Sequence, residues 1–573
     1  MKTGKASNPM AQRGAVPVER GRRAVLVASA AAAAVALGEK AFAAALTGEA
    51  VVDLHIELRA LPDRAAIRPG ALTRVWRYHG LLLRGDAGAF QASAGGYLGP
   101  IIRARRGQRV RIELVNGLPE STIVHWHGLH VPEAMDGHPR FAIAPGERYV
   151  YEFTVLNRAG SYWFHPHPHG RTGKQVYSGM AGLFLVSDDE EASLGLPDGA
   201  HDLPLVIQDR RFDADNQLVY LGEEVTAQSM PRRMERRGGG MMGRGMMEGG
   251  GMMGRGTTDG GPRGGGMMGG GMMSRMMGML GDEILVNGKP EAGFDVERRA
   301  YRLRLLNASN TRIYKLAWSD ASPLTVIASD GGLLAGPLQR DYVMLSPAER
   351  IELWVDFARW QPGARAELRS LAFESGMGMG GMMSGNSGLP EGAPFPVLHF
   401  RVGSGSGSAA PTAAPRRLAV VPPARPRAAV NGKRAKVFDL TMRMMAWGIN
   451  GRGFEMLAAG PLETVRLGTE ELWEFRNEGM GGMMGMAMPH AMHVHGPQFR
   501  VVGRSVAGRS RDAYDTVKAG LVDDGWKDTV LVMPGERVRI LLRFADYTGL
   551  FLYHCHMLEH EDSGLMRNYR VVA

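Results

Sequence analysis

Cysteine is nearly absent from this chain, which has one, Cys555, among 573 residues. A single thiol excludes an intrachain disulfide, so the fold must be stabilised by the burial of apolar side chains. The reactivity of a lone cysteine explains its presence more often than its packing does. Cys555 stands between His554 and His556, in the segment "YHCHMLEHED" at 553–562. A chemical role for the thiol is therefore expected.

Long apolar runs are also missing. The run at 24–37 is shorter than the roughly 20 residues that a membrane-spanning helix needs. It follows Arg22 and Arg23 and precedes the small residues Ala41 and Ala43, which is the pattern of a cleaved export signal of the twin-arginine type. We therefore interpret residues 1–43 as an export signal and not as a membrane anchor. The protein is expected to be periplasmic or otherwise exported, without stable membrane insertion.

Aromatic residues make up 7% of the chain, and no basic stripe is interleaved with them. Lys and Arg number 68 against 58 Asp and Glu, and part of this excess lies in the predicted export signal. The remaining basic residues are scattered along apparent strands, which indicates a solvated surface. We therefore expect no nucleic-acid partner, and we expect a monomer.

Short segments of alternating apolar and polar residues fill the rest of the chain, for example "RVRIELVNG" at 109–117 and "RYVYEFTV" at 148–155. This alternation is typical of half-buried β-strands. No long stretch with helical periodicity competes with it. The sequence predicts an all-β fold.

One pattern recurs three times along the chain. A strand that ends at an asparagine is followed by a second strand that starts with Gly-Glu-Arg or Ala-Glu-Arg. The first copy is "RVRIELVN" with "APGERYVYEF", the second is "YRLRLLNAS" with "LSPAERIELWVDF", and the third is "ELWEFRNEG" with "MPGERVRILLRF". The repetition predicts three homologous Greek-key sandwiches at 45–190, 200–403 and 430–573. The Gly/Ser-rich and Pro/Ala-rich segment 403–430 is interpreted as a linker.

Histidines form four His-x-His pairs, which are His125/His127, His165/His167, His493/His495 and His554/His556. Residues i and i+2 of a strand point to the same face, so each pair can present two imidazoles to one cavity. The pairs lie in the first and third predicted units, and the middle unit has no histidine at the corresponding strand position. Imidazole suits Zn, Cu, Fe and Ni, and eight imidazoles exceed the need of a mononuclear site. The pattern predicts a multinuclear metal centre shared by the first and third units.

Cys555 must point to the face opposite His554 and His556. There it can meet His490 and His560, and one thiolate with two imidazoles is the ligand set of a blue-copper electron-transfer site. Cys555 would then connect two metal sites through its own peptide neighbours.

These motifs resemble those of a known family. The segments "HWHG", "WFHPHPHG", "HAMHVHG" and "HCHMLEHEDSGLM" look like the four copper motifs of the three-domain multicopper oxidases, in chain order. The resemblance implies three cupredoxin-like domains and four copper ions, one type 1, one type 2 and two type 3. Within the family pattern, His490, Cys555 and His560 would bind the type 1 copper, and His125 and His493 the type 2 copper. The type 3 pair would be held by His127, His165, His167, His495, His554 and His556.

Two acids match positions where the family places its proton-relay carboxylates. Asp136 lies eleven residues after His125, and Glu561 directly follows His560. They would supply protons for the reduction of O2 to water. For Asp136 the alternative is a turn residue before Gly137.

Methionine is abundant, with 37 residues in the chain. Fourteen lie at 234–279 in a Gly/Arg background, four at 377–383, and six at 480–492 beside His490. The first segment has too few apolar side chains between its glycines to form a core, so we interpret it as an insertion in the second unit. Thioethers select Cu(I). Met-rich segments are typical of the periplasmic cuprous oxidases of bacterial copper tolerance. This chain resembles those oxidases more than it resembles the fungal laccases. The alternative is a biased segment without a ligand role.

The axial position of the type 1 copper is expected to differ from that of many relatives. Ten residues after Cys555, where they place a weak methionine ligand, this chain has Leu565, and Met566 falls one position later. A shift of one residue changes the direction of a side chain, so Met566 is not expected to reach the copper. Met486 and Met488, close to His490, are the other candidate axial or substrate-copper ligands.

The sequence therefore predicts an exported multicopper oxidase that couples one-electron oxidation of Cu(I) to the four-electron reduction of O2. Oxidation of phenols or aromatic amines is the second hypothesis. Copper nitrite reductase disagrees with three units in one chain and with complete type 3 pairs. A scaffold or copper-sequestering cupredoxin protein is the alternative of another class, but scaffolds of this kind lose their ligands and here all are present.

Overall fold

The computed structural model describes residues 51–92, 96–221, 277–376, 389–405, 413–443, 446–478 and 488–573. The predicted export signal, Met486, the methionines at 377–383 and most of the segment 234–279 lie outside the described residues. Leu54–Ala573 form one compact unit. Among the residues described, no helix has the length and apolar character to cross a membrane.

Strands of the first third of the chain form a four-stranded sheet, in the order β2-β1-β5-β7, and a five-stranded sheet, in the order β3-β4-β9-β8-β6. Their bounds are β1 Leu54–Ala65, β2 Thr73–Arg84, β3 Phe90–Gln91, β4 Ile101–Arg105, β5 Arg109–Asn116, β6 Val124–His127, β7 Arg148–Thr154, β8 Gly160–Pro166 and β9 Gly182–Ser187.

The middle of the chain forms a second pair of sheets. The strands are β10 Asp202–Arg210, β11 Glu283–Val286, β12 Lys289–Pro290, β13 Gly293–Val296, β14 Ala300–Asn307, β15 Tyr314–Trp318, β16 Leu324–Ser329, β17 Gly332–Arg340, β18 Val343–Leu345, β19 Arg350–Asp356, β20 Arg365–Ser370 and β21 Phe395–Val402. One sheet has the order β12-β11-β10-β14-β19-β16-β17, and the other has the order β13-β21-β20-β15-β18.

The last third forms two five-stranded sheets, in the orders β23-β22-β25-β29-β27 and β24-β31-β30-β26-β28. Their strands are β22 Lys436–Arg443, β23 Ala446–Ile449, β24 Thr464–Arg466, β25 Thr469–Asn477, β26 His490–Val494, β27 Phe499–Val506, β28 Thr529–Val532, β29 Glu536–Phe544, β30 Gly549–Cys555 and β31 Met566–Val572. Among the residues that the structure describes, four short α-helices lie between strands: α1 Thr172–Tyr177, α2 Asp189–Ala192, α3 Arg511–Asp515 and α4 Leu558–Asp562. The predicted all-β class is confirmed, while the predicted boundaries of the three units stay predictions.

The sequence repeat corresponds to the same three strands in each third. β5, β14 and β25 each pair in parallel with the strand that opens the unit and antiparallel with the Glu-Arg strand, which is β7, β19 or β29. The asparagine that ends each of them has one shared task. The side-chain amides of Asn116, Asn307 and Asn477 each donate to two backbone carbonyls of neighbouring loops. Because buried carbonyls need donors, the repeat retains this residue where the loops close.

Each pair of sheets encloses its own apolar core. Representative buried side chains are Trp126 and Phe164 in the first core, Trp318 and Phe400 in the second, and Trp473 in the third. The third core also contains Cys555. The thiol is therefore buried among apolar side chains and not exposed to solvent.

Strand register places the histidine pairs. His125 on β6 lies opposite His165 on β8, and His493 on β26 lies opposite His554 on β30. Each strand therefore delivers its imidazoles beside those of its neighbour, at the ends of two adjacent strands.

Candidate metal centre

Eight buried imidazoles form what we call the histidine cluster: His125, His127, His165, His167, His493, His495, His554 and His556. Each has at most 1% of its surface exposed. The members of each pair are two residues apart on or just past a strand, so both rings point to one side. The structure thus brings together histidines of the first and last repeats.

Ring nitrogens from the two ends of the chain face one another within the histidine cluster. His125 Nε2 lies 3.3 Å from His493 Nε2, and His165 Nε2 lies 3.3 Å from His556 Nε2. His554 Nε2 is 3.3 Å from His167 Nε2 and 3.1 Å from that of His495. These distances allow several nitrogens to bind one ion, since sets of three ligand atoms fall within 4.8 Å of one another.

Hydrogen bonds fix which nitrogen of each ring carries the proton. Nδ1 of His125 donates to the Asp136 carbonyl at 2.6 Å, and Nδ1 of His493 to the Asp528 carbonyl at 2.7 Å. Nδ1 of His165 donates to the Pro166 carbonyl at 2.9 Å. The Nε2 atoms of these three rings are therefore unprotonated acceptors, which is the form that binds metals.

Burial favours the neutral form of seven imidazoles of the histidine cluster. Burial and the neighbouring imidazoles lower the pKa of His165 to about 3. Burial likewise lowers the pKa of His167 to about 4, although Glu561 beside it opposes this shift. The pKa values of His125, His127, His493, His495 and His556 also lie well below the ordinary value, chiefly because of burial. Their lone pairs are thus free at neutral pH.

In His127 the roles of the two ring nitrogens are exchanged. Its Nε2 lies 3.0 Å from Asp528 Oδ1 and 3.2 Å from Thr529 Oγ1, while its buried Nδ1 has no hydrogen-bond partner among the described residues. A buried, unpaired nitrogen costs free energy unless an ion or water binds it. Sequence reasoning missed Asp528, because it lies outside the histidine motifs and only the pairing of β26 with β28 brings it to the site.

Both predicted acids lie against the histidine cluster. Asp136 is fully buried, and its Oδ2 accepts a hydrogen bond from His495 Nδ1 at 2.7 Å. Burial raises its pKa well above the ordinary value, and Glu133 adds to this shift. Gly137 makes the turn that follows, because it has φ +79° and a Cβ there would lie 2.1 Å from the Val124 carbonyl. The turn is what aims the carboxyl inward.

Glu561 contacts two cluster histidines. Its Oε2 lies 3.1 Å from His554 Nδ1, and its Oε1 lies 3.5 Å from His167 Nε2. Helix α4 carries Glu561, and Asp562 on the same helix accepts hydrogen bonds from the backbone N–H groups of Thr172 and Gly173. These contacts hold α4 against α1.

Cys555 lies in a second group of donors. Its Sγ is 3.5 Å from His490 Nδ1 and 3.8 Å from His560 Nδ1, and all three residues are buried. Burial raises the pKa of the thiol to about 12. A thiol held in an apolar core becomes a thiolate only when a cation replaces its proton.

The indole of Trp447 covers both imidazoles of the thiol group. Its ring centroid is 4.9 Å from that of His490 and 4.6 Å from that of His560. Sequence reasoning did not single out Trp447, since the β22–β23 hairpin that carries it has no motif that would identify it. The indole therefore forms part of the apolar surroundings of both imidazoles.

Comparison with known proteins identifies the family. Two family models described as multicopper oxidase match residues 81–191 and 429–573. A laccase of Bacillus stratosphericus is 30% identical, over 87% of this chain and 91% of its own length. The crystal structure of McoA multicopper oxidase from the hyperthermophile Aquifex aeolicus is 32% identical, covers 91% of this chain and 96% of its own, and superimposes with a TM-score of 0.67. This chain belongs to the multicopper oxidases.

A further solved relative of this multicopper oxidase is the laccase-like multi-copper oxidase CueO from Ochrobactrum sp., at 27% identity over 90% of this chain and 97% of that one, with a TM-score of 0.66. The predicted fold of cupredoxin-like sandwiches is thereby confirmed. So is the predicted enzyme class, an oxidoreductase that uses O2 as acceptor.

The residues present fit copper. Lone pairs that face each other at 3.3 Å repel unless a cation lies between them, and neutral imidazole is a good copper ligand. The thiol group offers the sulfur and two imidazoles typical of a blue-copper site. Both donor sets of this multicopper oxidase therefore agree with the cofactor of its family.

Proposed function

We propose that this multicopper oxidase oxidises Cu(I) with O2 and holds four copper ions. The type 1 copper would be bound by His490, Cys555 and His560, and the type 2 copper by His125 and His493. The type 3 pair would be bound by His127, His165, His167, His495, His554 and His556. The observation that carries the assignment is that the two donor groups are joined by peptide bonds. Cys555 lies in one donor group, and its two peptide neighbours lie in the other.

Bound copper supplies one-electron redox chemistry, and four Cu(I) substrate ions would be oxidised for each O2 reduced to two waters. The reduction consumes four protons. Asp136, hydrogen-bonded to His495, and Glu561, 3.1 Å from His554, are the carboxyls that would deliver them. Burial raises the pKa of Asp136, which favours the protonated form that a proton donor needs.

Methionines support Cu(I) as the substrate. Met488 is buried in the same core as Cys555, two residues before His490. Met277 packs against that core, and Met279 is 2% exposed, so the described end of the segment 234–279 lies in or against the packed interior, with Met277 on the core that contains Cys555. Soft thioethers select Cu(I) over harder ions.

Phenols or aromatic amines are the second candidate substrate, supported by the names of relatives. One relative is a laccase, and another is described as active towards lignin model compounds. A copper-sequestering or scaffold role without turnover is the alternative of another class, and the complete donor sets weigh against it. We further propose export to the periplasm by the twin-arginine pathway, in monomeric form.

Oxygen consumption decides between the substrates. The copper-loaded full chain and a variant lacking residues 238–270 are compared on Cu(I) and on a phenol. The deletion ends before the packed Met277 and Met279. We expect the deletion to lower Cu(I) oxidation while phenol oxidation stays equal or rises. Equal loss of both activities would indicate that the segment has a structural role. Absence of Cu(I) oxidation by the full chain would reject the proposal.

A further inference from the structure

The middle repeat contributes no histidine to the metal centre, yet one of its arginines is buried beside it. Arg350, the first residue of β19, has none of its surface exposed. Arg148 and Arg537 occupy the same position of the Glu-Arg strand in the other two repeats, and their side chains are about half exposed. This position is therefore solvated in the first and last repeats and fully desolvated in the middle repeat.

All five N–H donors of Arg350 are used. Nη1 donates to Asp528 Oδ1 at 2.7 Å and to the Ala348 carbonyl at 3.0 Å. Nη2 donates to Asp528 Oδ2 at 2.5 Å and to the Asp330 carbonyl at 3.0 Å. Nε donates to the Ser161 carbonyl at 2.9 Å. A guanidinium with every donor paired and both carboxylate oxygens engaged has one fixed position.

Asp528 connects Arg350 to the histidine cluster through hydrogen bonds. Its Oδ1 accepts from Nε2 of His127, and its backbone carbonyl accepts from Nδ1 of His493. These two bonds decide that His127 presents Nδ1 and His493 presents Nε2 to a metal. Outer hydrogen bonds of this kind set the tautomer and orientation of metal ligands.

Asp528 is itself close enough to become a ligand. One of its oxygens and ligand nitrogens of His127 and His493 all lie within 4.8 Å of one another. A buried carboxylate without a partner either takes up a proton or binds the nearest cation. The two parallel bonds from Arg350 occupy both oxygens and so keep the carboxylate as an acceptor for His127.

We propose that Arg350 of the middle repeat is a positioning residue for the trinuclear copper site. Through Asp528 it selects the metal-facing nitrogens of His127 and His493, and it prevents the carboxylate from coordinating copper. A second buried pair supports this frame, since Lys527 Nζ lies 3.1 Å from Asp330 Oδ2 and 2.9 Å from Glu349 Oε1. The proposal rests on the assignment of copper to the histidine cluster.

The test measures copper bound per chain, retention of copper against a chelator, and the type 2 copper EPR spectrum. The variants are Arg350→Met, Asp528→Asn, the double variant Arg350→Met/Asp528→Asn, and Arg312→Met as a control. Arg312 is an equally buried arginine of the middle repeat. Its Nε lies 2.8 Å from Asp209 Oδ2, and neither residue belongs to the histidine cluster. The blue band of the type 1 site reports in each sample whether the last sandwich is folded.

Arg350→Met is expected to keep the blue band but to hold the cluster copper at least 10-fold more weakly and with an altered type 2 spectrum. Asp528→Asn, which changes no volume, should also alter that spectrum with the blue band intact. The double variant should recover most of the copper, because no lone carboxylate is left and the amide oxygen can still accept from His127. Arg312→Met should bind copper as the wild type does.

Two results would overturn the proposal. One is a full copper complement with an unchanged type 2 spectrum in both Arg350→Met and Asp528→Asn. The other is loss of the blue band together with the cluster copper in Arg350→Met, with Asp528→Asn unchanged. A wild-type protein that binds no copper at the cluster would instead contradict the proposed function, so the two failures are distinguishable.

Discussion

Met566 lies directly opposite His554 where β31 pairs with β30, so the two side chains share one face of the sheet. Cys555 alternates to the other face, and its N–H donates to the Leu565 carbonyl at 3.0 Å. Leu565 and Met488 belong to the apolar core around the thiol. This register turns Met566 away from the thiol, while Leu565 at the axial position stays a prediction.

Leu565→Met is expected to lower the reduction potential of the type 1 site. A thioether in the axial position stabilises Cu(II), which leucine cannot do. Redox titration followed at the blue band measures the change, and Met566→Leu is the matched control. An unchanged potential in Leu565→Met together with a shifted one in Met566→Leu would show that Met566 is the ligand.

Cys555→Ser should abolish the blue band and substrate oxidation while the histidine cluster keeps its copper. Only the thiolate gives the intense charge-transfer absorption, and the hydroxyl is nearly isosteric with the thiol. Visible absorption and copper content measure the two sites separately. A blue Cys555→Ser protein would refute the type 1 assignment.

Asp136→Asn should slow O2 reduction by about 100-fold or more, because the amide cannot deliver a proton. Reduction of the type 1 site by substrate without O2 should proceed as in the wild type. Asp213→Asn is the control for a turn aspartate, since Asp213 accepts the N–H groups of Asp215 and Gln217 at an exposed turn. Equal, small effects of both changes would leave Asp136 with a turn role alone.

Glu352→Ala should destabilise the fold by about 3–5 kcal/mol, because it removes one buried carboxylate from two buried arginines, which keep only Glu191 and Asp202 as partners. Glu352 Oε2 accepts from Arg302 Nε at 2.6 Å, and Oε1 from Arg304 Nη1 at 3.0 Å and from Ser161 Oγ at 2.7 Å. Urea unfolding at pH 7 measures the loss. Asp295→Ala, which breaks an exposed pair with Arg401, should cause no measurable loss.

The contribution of Glu352 should also depend on pH. Burial alone would raise its pKa, but Arg302 and Arg304 lower it from 4.5 to about 2. Because the folded-state pKa lies below the unfolded one, the stabilisation is complete above about pH 4.5 and is lost as the pH falls towards 2. The stability difference between wild type and Glu352→Gln should therefore narrow between pH 5 and pH 3. A constant difference over that range would contradict the ion pairs.

The sequence alone determined the all-β class, the threefold repeat and the side on which each histidine pair points. These follow from local rules: alternation over two residues is a property of any strand, so His125 and His127 must share a face whatever surrounds them. The same rule separated Cys555 from His554 and His556. It also separated Leu565 from Met566.

Only the tertiary structure decided what meets those side chains from outside their own strands. Asp528 and Trp447 belong to no sequence motif, and the repeated Glu-Arg start that contains Arg350 gives no sign of a place beside the metal centre. The three residues come from a neighbouring strand, a distant hairpin and another repeat. Which nitrogen of an imidazole binds metal depends on the acceptor opposite its other nitrogen. Strand register and the packing of one repeat on another set that acceptor, and neither is encoded in the spacing of the histidines.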